Sequence, residues 1–221
     1  MDLKMLFLLF MIYSFFGWII EMLVVAMQNG RFTDRGFLIG PYLPIFGIGA
    51  VLITLFLSKY SNDVFILFIM SAFLGALLEY IVSYILEKMF HARWWNYEKD
   101  KFNLNGRVCL STTIGFGILG VMLIMFFNPM FLTLLNTISD NILNFVSVFL
   151  AIIFIIDVIV SSTIISKVKN VPRKIRKDNT EEITLKVKKI LKEHSILSKR
   201  LINAFPDLKI KIKNKWCIIS L

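Results

Sequence analysis

Met5–Met27 reads MLFLLFMIYSFFGWIIEMLVVAM, an unbroken apolar run with a single charge, Glu21. A bilayer core of roughly 30 Å is crossed by about 20 apolar residues in a helix. The run is too long for a signal-peptide core and has no small-residue cleavage site, so it is read as an uncleaved first transmembrane helix. Four further stretches qualify: Gly40–Leu57, Val64–Leu86, Val108–Phe127 and Phe145–Ile165. Between the last two, Asn128–Asn144 opens on Asn-Pro and reads as a loop with a short interfacial segment. The expected fold is all-α, a polytopic membrane protein with about five transmembrane helices over residues 1–166. A basic, partly helical tail then occupies residues 167–221. Composition agrees: 57% of residues are hydrophobic and 21 are Phe, above what a soluble domain carries.

Charge sets the expected orientation. With five spans, the N-terminus and the loops at 58–63 and 128–144 lie on one side and hold only Lys4 and Lys59. The other side holds the remaining 23 of the 25 Lys and Arg, sixteen of them in the tail. The positive-inside rule then places the N-terminus outside and the C-terminus in the cytoplasm. The net charge of +10 is mostly a property of the tail, so no specific nucleic-acid binding is expected of the whole chain.

The first four helices read as one hairpin duplicated, about 5–57 and 64–127. Phe15-x-Gly17-x-x-x-Glu21 is echoed by Phe73-x-Gly75-x-x-x-Glu79. Arg31-Phe32-Thr33-Asp34-Arg35-Gly36 is echoed by Lys101-Phe102-Asn103-Leu104-Asn105-Gly106. At the same distance beyond each final glycine comes Phe-Gly-Ile, at Phe46 and at Phe116. The second unit carries an insertion in its inner loop around His91 to Tyr97. Two helices per unit give both copies the same orientation, a parallel repeat about the membrane normal of the kind found in transporters.

Glu21 and Glu79 fall roughly 10 Å inside the inner boundary at 1.5 Å per residue. A charged carboxylate there costs on the order of a few kcal/mol unless it is paired, protonated or hydrated. Gly17 and Gly75, one turn earlier on the same face, let a neighbouring backbone come close. Two readings stay open: the glutamates line a substrate or proton path, or they lock each hairpin by pairing with Arg35 or Arg107. Asp157, midway along the fifth helix beside Ser161-Ser162-Thr163, is a third buried acid expected to face the bundle. Gly36, Gly40, Pro41 and Pro44 interrupt the entry to the second helix, as an unwound or re-entrant site or as a simple kinked entry. Trp94, Trp95 and Tyr97 are either interfacial anchors or a docking surface for a cytoplasmic partner.

No catalytic motif is found and the chain is not expected to be an enzyme. Its two histidines, His91 and His194, are too few to assemble an intramembrane metal site, and Cys109 and Cys217 have no paired spacing, so no metal and no cofactor are expected. No Gly-rich lysine loop for nucleotide hydrolysis is present. In the tail, Val171 to Lys177 is a basic cluster suited to anionic lipid headgroups. From Asn179 to about Pro206, Ile183, Val187, Ile190, His194, Leu197 and Leu201 form one apolar helical stripe, lying on the membrane or bound to a partner. Lys209 to Lys213 alternates with period two, as a short strand or a membrane-surface segment.

Three sets of residues resemble one bacterial family: Tyr13-Ser14-x-x-Gly17-Trp18-x-x-Glu21, the run Arg35-Gly36-Phe37-Leu38-x-Gly40-Pro41-x-x-Pro44-Ile45-x-Gly47-x-Gly49, and Trp94-Trp95-x-Tyr97 with Gly106-Arg107-Val108-x-Leu110. Together they are similar to the ABC-transporter type IV membrane proteins, over roughly residues 5–125. The chain departs from that pattern at Asn96 and Asp34. The resemblance implies a permease-like subunit in the bacterial plasma membrane, dependent on a separate ATPase, its substrate and any homo-oligomer left open. The rival expectation is a non-transporting membrane scaffold or assembly factor whose basic tail recruits a cytoplasmic partner.

Overall fold

The computed structural model describes residues 1–30, 36, 38–90, 92–174, 209–212 and 215–218. Among these described residues six α-helices follow in order: α1 (Leu3–Asn29), α2 (Pro44–Leu57), α3 (Val64–Phe90), α4 (Leu110–Met122), α5 (Asn128–Asn136) and α6 (Asp140–Lys174). Four segments are long and apolar enough to cross a membrane: Leu3–Met27, Val64–Met89, Leu110–Asn136 and Asp140–Thr163. A fifth apolar helix, Pro44–Tyr60, is shorter. The chain is thus a multi-pass, helical membrane protein. The helix expected near 179–206 lies outside the described residues.

Helices α1 and α2 form one hairpin, α3 and α4 a second, and glycine sets the approach in both. A side chain at Gly17 would overlap the Phe46 ring, and one at Gly75 would overlap Phe116. Gly47 lies against Phe10 and Ser14, and Gly117 against Phe68. Without Cβ atoms at these points the paired backbones come close enough for large aromatic rings to fill the seam. The buried core beside them is aliphatic and aromatic, around Leu9, Tyr13, Ile53, Leu67, Leu123 and Phe131.

The loop expected over Asn128–Asn144 is corrected. Helix α4 passes through a π-helical turn, Leu123–Phe127, straight into α5, and only residues 137–139 separate α5 from α6. The Asn128 amide reaches back to the Leu123 carbonyl, and Pro129, which has no N–H to place, follows where the ladder has already shifted. The Asn128 side chain is satisfied inside the protein. It accepts from Tyr13 Oη at 2.6 Å and donates from Nδ2 to Thr54 Oγ1 at 2.8 Å, which in turn donates to the Ala50 carbonyl. A polar pair of residues that signals a loop in water here belongs to a buried network.

The fold is all-α as expected, with one small antiparallel sheet beside the helices. Strand β1 (Ala92–Arg93) pairs with β2 (Lys209–Ile212), and β2 pairs with β3 (Lys215–Ile218). The alternation at Lys209 therefore forms a strand, which pairs the described C-terminal residues with the loop between α3 and α4.

Candidate functional site

The first site is the break before α2. The Leu43 amide donates to the carbonyl of Ser14, near the middle of α1, so the non-helical turn Gly40–Leu43 lies within the depth of the bilayer. Irregular backbone at that depth persists only if its amides find partners in the protein. They do. Asp157, on α6, accepts from the Ile39 amide at 2.9 Å and the Gly40 amide at 2.7 Å, one on each carboxylate oxygen. Tyr42 Oη donates to the same carboxylate at 2.5 Å and Ser161 Oγ at 2.8 Å. The Tyr42 amide turns back to the Gly40 carbonyl, and Pro41 and Pro44 have no amide to satisfy. Every N–H from Ile39 to Pro44 is thereby accounted for. Gly40 and Pro41 thus lie in an unwound turn, Pro44 opens α2, and Gly36 also lies outside any helix.

The second site lies where α3 meets the loop that leads to α4. Glu79 is buried, 6% exposed, and accepts from Tyr97 Oη at 3.1 Å and Thr112 Oγ1 at 3.2 Å. The single Thr112 hydroxyl proton also has the Cys109 carbonyl within reach at 3.0 Å. Among the described residues no cation pairs with Glu79. Burial first, then the carboxylates of Glu79 and Glu21, raise the Tyr97 phenol far above its ordinary value, so it remains a donor.

The expected pairing of Glu79 with Arg107 is corrected. Arg107 Nη2 pairs with Glu87 Oε2 at 2.8 Å, and its guanidinium lies over the Tyr80 and Tyr84 rings. Nη1 reaches Ser83 Oγ at 3.4 Å. Glu79, Ser83 and Glu87 are spaced by four, which puts them on one face of α3, and Arg107 returns far enough down the loop to meet the last of them. That spacing was available in the sequence and marks Glu87 as the missed partner. Arg35 lies outside the described residues, so the pairing expected with Glu21 does too.

The loop between α3 and α4 is held by its own hydrogen bonds. The Tyr97 amide bonds the Gly106 carbonyl at 2.9 Å, and Trp95 Nε1 bonds the Arg107 carbonyl at 3.0 Å. Trp94 is buried. Asn103 accepts from the Gly106 amide and donates to the Asp100 and Glu98 carbonyls. Phe102, by contrast, is 82% exposed on a left-handed backbone (φ 53°), and Leu104 is 58% exposed.

The family model described as "Putative ABC-transporter type IV" matches residues 8–162. No curated protein and no solved structure matches the chain.

Proposed function

The chain belongs to the ABC-transporter type IV family, and on that premise we propose that it is the permease-like membrane subunit of a transporter, driven by an ATPase on a separate polypeptide. The exposed tip of the inner loop carries this reading. A bulky residue with positive φ costs on the order of 1–3 kcal/mol, and here the strained backbone holds an aromatic ring clear of the rest of the protein. Phe102 and Leu104, beside the alternating charges Glu98, Lys99, Asp100 and Lys101, suit an apolar pocket with a polar rim on a soluble partner. The substrate class stays open. Mild-detergent purification of the tagged full chain is expected to bring down an ATPase, and Phe102→Asp with Leu104→Asp is expected to lose it while insertion is kept. Retention of the ATPase by that variant, or recovery only of a non-ATPase partner, would replace this reading with the scaffold one.

Two finer features belong to the same reading. The matched contacts Gly17 with Phe46 and Gly75 with Phe116, and Phe10 with Gly47 and Phe68 with Gly117, support a duplicated hairpin. The distribution of Lys and Arg supports an external N-terminus and a cytoplasmic C-terminus in the bacterial plasma membrane, the tail resting on anionic headgroups. Reporter fusions at Asn62 and Ser139 are then expected to read extracytoplasmic, and fusions at Lys99 and Leu221 cytoplasmic. A cytoplasmic reading at Asn62 would reject the orientation.

A further inference from the structure

Helix α6 is the least embedded of the long helices. Only 6% of the residues in its apolar window are buried, against 39%, 28% and 33% in the other three spans. Its contact with the bundle is one narrow stripe: Leu143, Leu150, Phe154, Asp157, Val158 and Ser161, at spacings that return to the same side of the helix. At its outer end Asp140 pairs with Lys4 at 2.9 Å, an exposed contact worth little on its own. Phe154 meets Phe10 edge-on at 5.3 Å and Tyr42 at 5.8 Å. Among the described residues, Asp157 is the point at which α6 makes charged hydrogen bonds to the rest of the chain inside the bilayer.

Those bonds go to a turn that cannot satisfy itself. Helix α2 starts only at Pro44, with Pro41 just before it, and two amides upstream are left pointing out of the turn. A carboxylate from a different helix supplies the acceptors that a continuous first turn would have supplied. Polar backbone in hydrocarbon is costly when exposed, so withdrawal of α6 leaves Ile39 and Gly40 needing water. The same helix runs on past its span to Lys174 and into the basic tail. A load on the tail therefore acts on the helix that closes the break.

We propose that α6 is a gate helix and that Asp157 is its latch: docked, it seals the membrane-depth turn Ile39–Tyr42, and undocked, it opens that turn to water. This does not depend on which partner pulls the tail.

The test uses the full chain in opened membrane vesicles, with Cys109→Ser and Cys217→Ser as background and Ile39→Cys as reporter. The amide of Ile39 belongs to the latch, but its side chain does not and is partly exposed. A charged methanethiosulfonate reacts only with a thiol that water reaches, and its rate is read by mass spectrometry of the labelled peptide. Asp157→Ala is expected to raise the rate by at least about tenfold, since several hydrogen bonds are lost together. Carbodiimide coupling of the native Lys4 amine to the Asp140 carboxylate, an amide across the 2.9 Å pair that leaves the reporter thiol free, holds this end of α6 on α1 and is expected to return the rate to near the parent value. An unchanged rate in inserted Asp157→Ala protein overturns the latch. A raised rate that the cross-link does not lower shows the turn opening without α6 and overturns the gate. Should Asp157→Ala fail to insert, Tyr42→Phe and Ser161→Ala each remove one donor to the carboxylate. Each is then expected to raise labelling about fivefold, and no rise in either rejects the proposal.

Discussion

Gly47→Val is expected to keep the chain from accumulating in the membrane. A Cβ built at Gly47 falls on the carbonyl oxygen of Phe10 and on Ser14 Oγ. The hydroxyl can rotate, but the carbonyl belongs to the backbone of α1 and can move only with the helix. Overpacking against side chains costs typically about 1–3 kcal/mol, and more where neighbours cannot give way. Here α1 and α2 must part, and the Leu43 amide then loses the Ser14 carbonyl it donates to. The unwound turn that Asp157 holds is displaced along with it. Gly117→Val, the matching change in the second hairpin, meets the Phe68 ring, a side chain with rotamers to spare, and is expected to cost less. Gly115→Ala meets nothing within 4 Å and gains helix propensity, so it is expected to be neutral or mildly stabilising. Yield in the membrane and midpoint of thermal unfolding in detergent rank the three. Equal yields for Gly47→Val and Gly115→Ala would show that the hairpin is not set by this contact.

The long spans were legible because length and hydrophobicity alone decide whether a helix can cross a bilayer, and α1, α3 and α6 satisfy both. The close approach at Gly17 and Gly75 was legible for a similar reason: one small residue on an apolar face has few uses. Helix α5 was hidden because Asn128-Pro129 carries loop chemistry, and the groups that make it tolerable, Tyr13 and Thr54, come from two other helices. The grip of Asp157 could not be read either. Its partners include two backbone amides, which leave no side-chain signature, and only the prolines of the entry hinted that amides there would want acceptors. The Arg107 pairing failed differently. Repetition drew attention to Glu79, and Glu87, two turns further along the same face, has no counterpart in the first hairpin.

Arg107→Ala is expected to destabilise the inner end of the second hairpin by about 3–5 kcal/mol, the usual consequence of breaking a largely buried ion pair from one side. The side chains of Arg107 and Glu87 are 9% and 20% exposed, and the guanidinium also lies over Tyr80 and Tyr84. Glu79→Gln is expected to cost much less, at most about 1.5 kcal/mol, because a Gln carbonyl still accepts from Tyr97 or Thr112. Double-mutant cycles separate the two carboxylates. Arg107→Ala with Glu87→Ala is expected to show a coupling above about 1 kcal/mol, and Arg107→Ala with Glu79→Gln one within about 0.5 kcal/mol of zero. Urea or thermal unfolding in detergent supplies all four corners of each cycle. A larger coupling to Glu79 than to Glu87 would restore the lock that the 2.8 Å pairing removes. The expected result bears on function. A carboxylate buried at membrane depth and not needed as the partner of Arg107 is a cost the fold does not require. Glu79, held by Tyr97 and Thr112, is then left as the acid to replace when transport is assayed, because Glu79→Gln removes a titratable group without removing a strut.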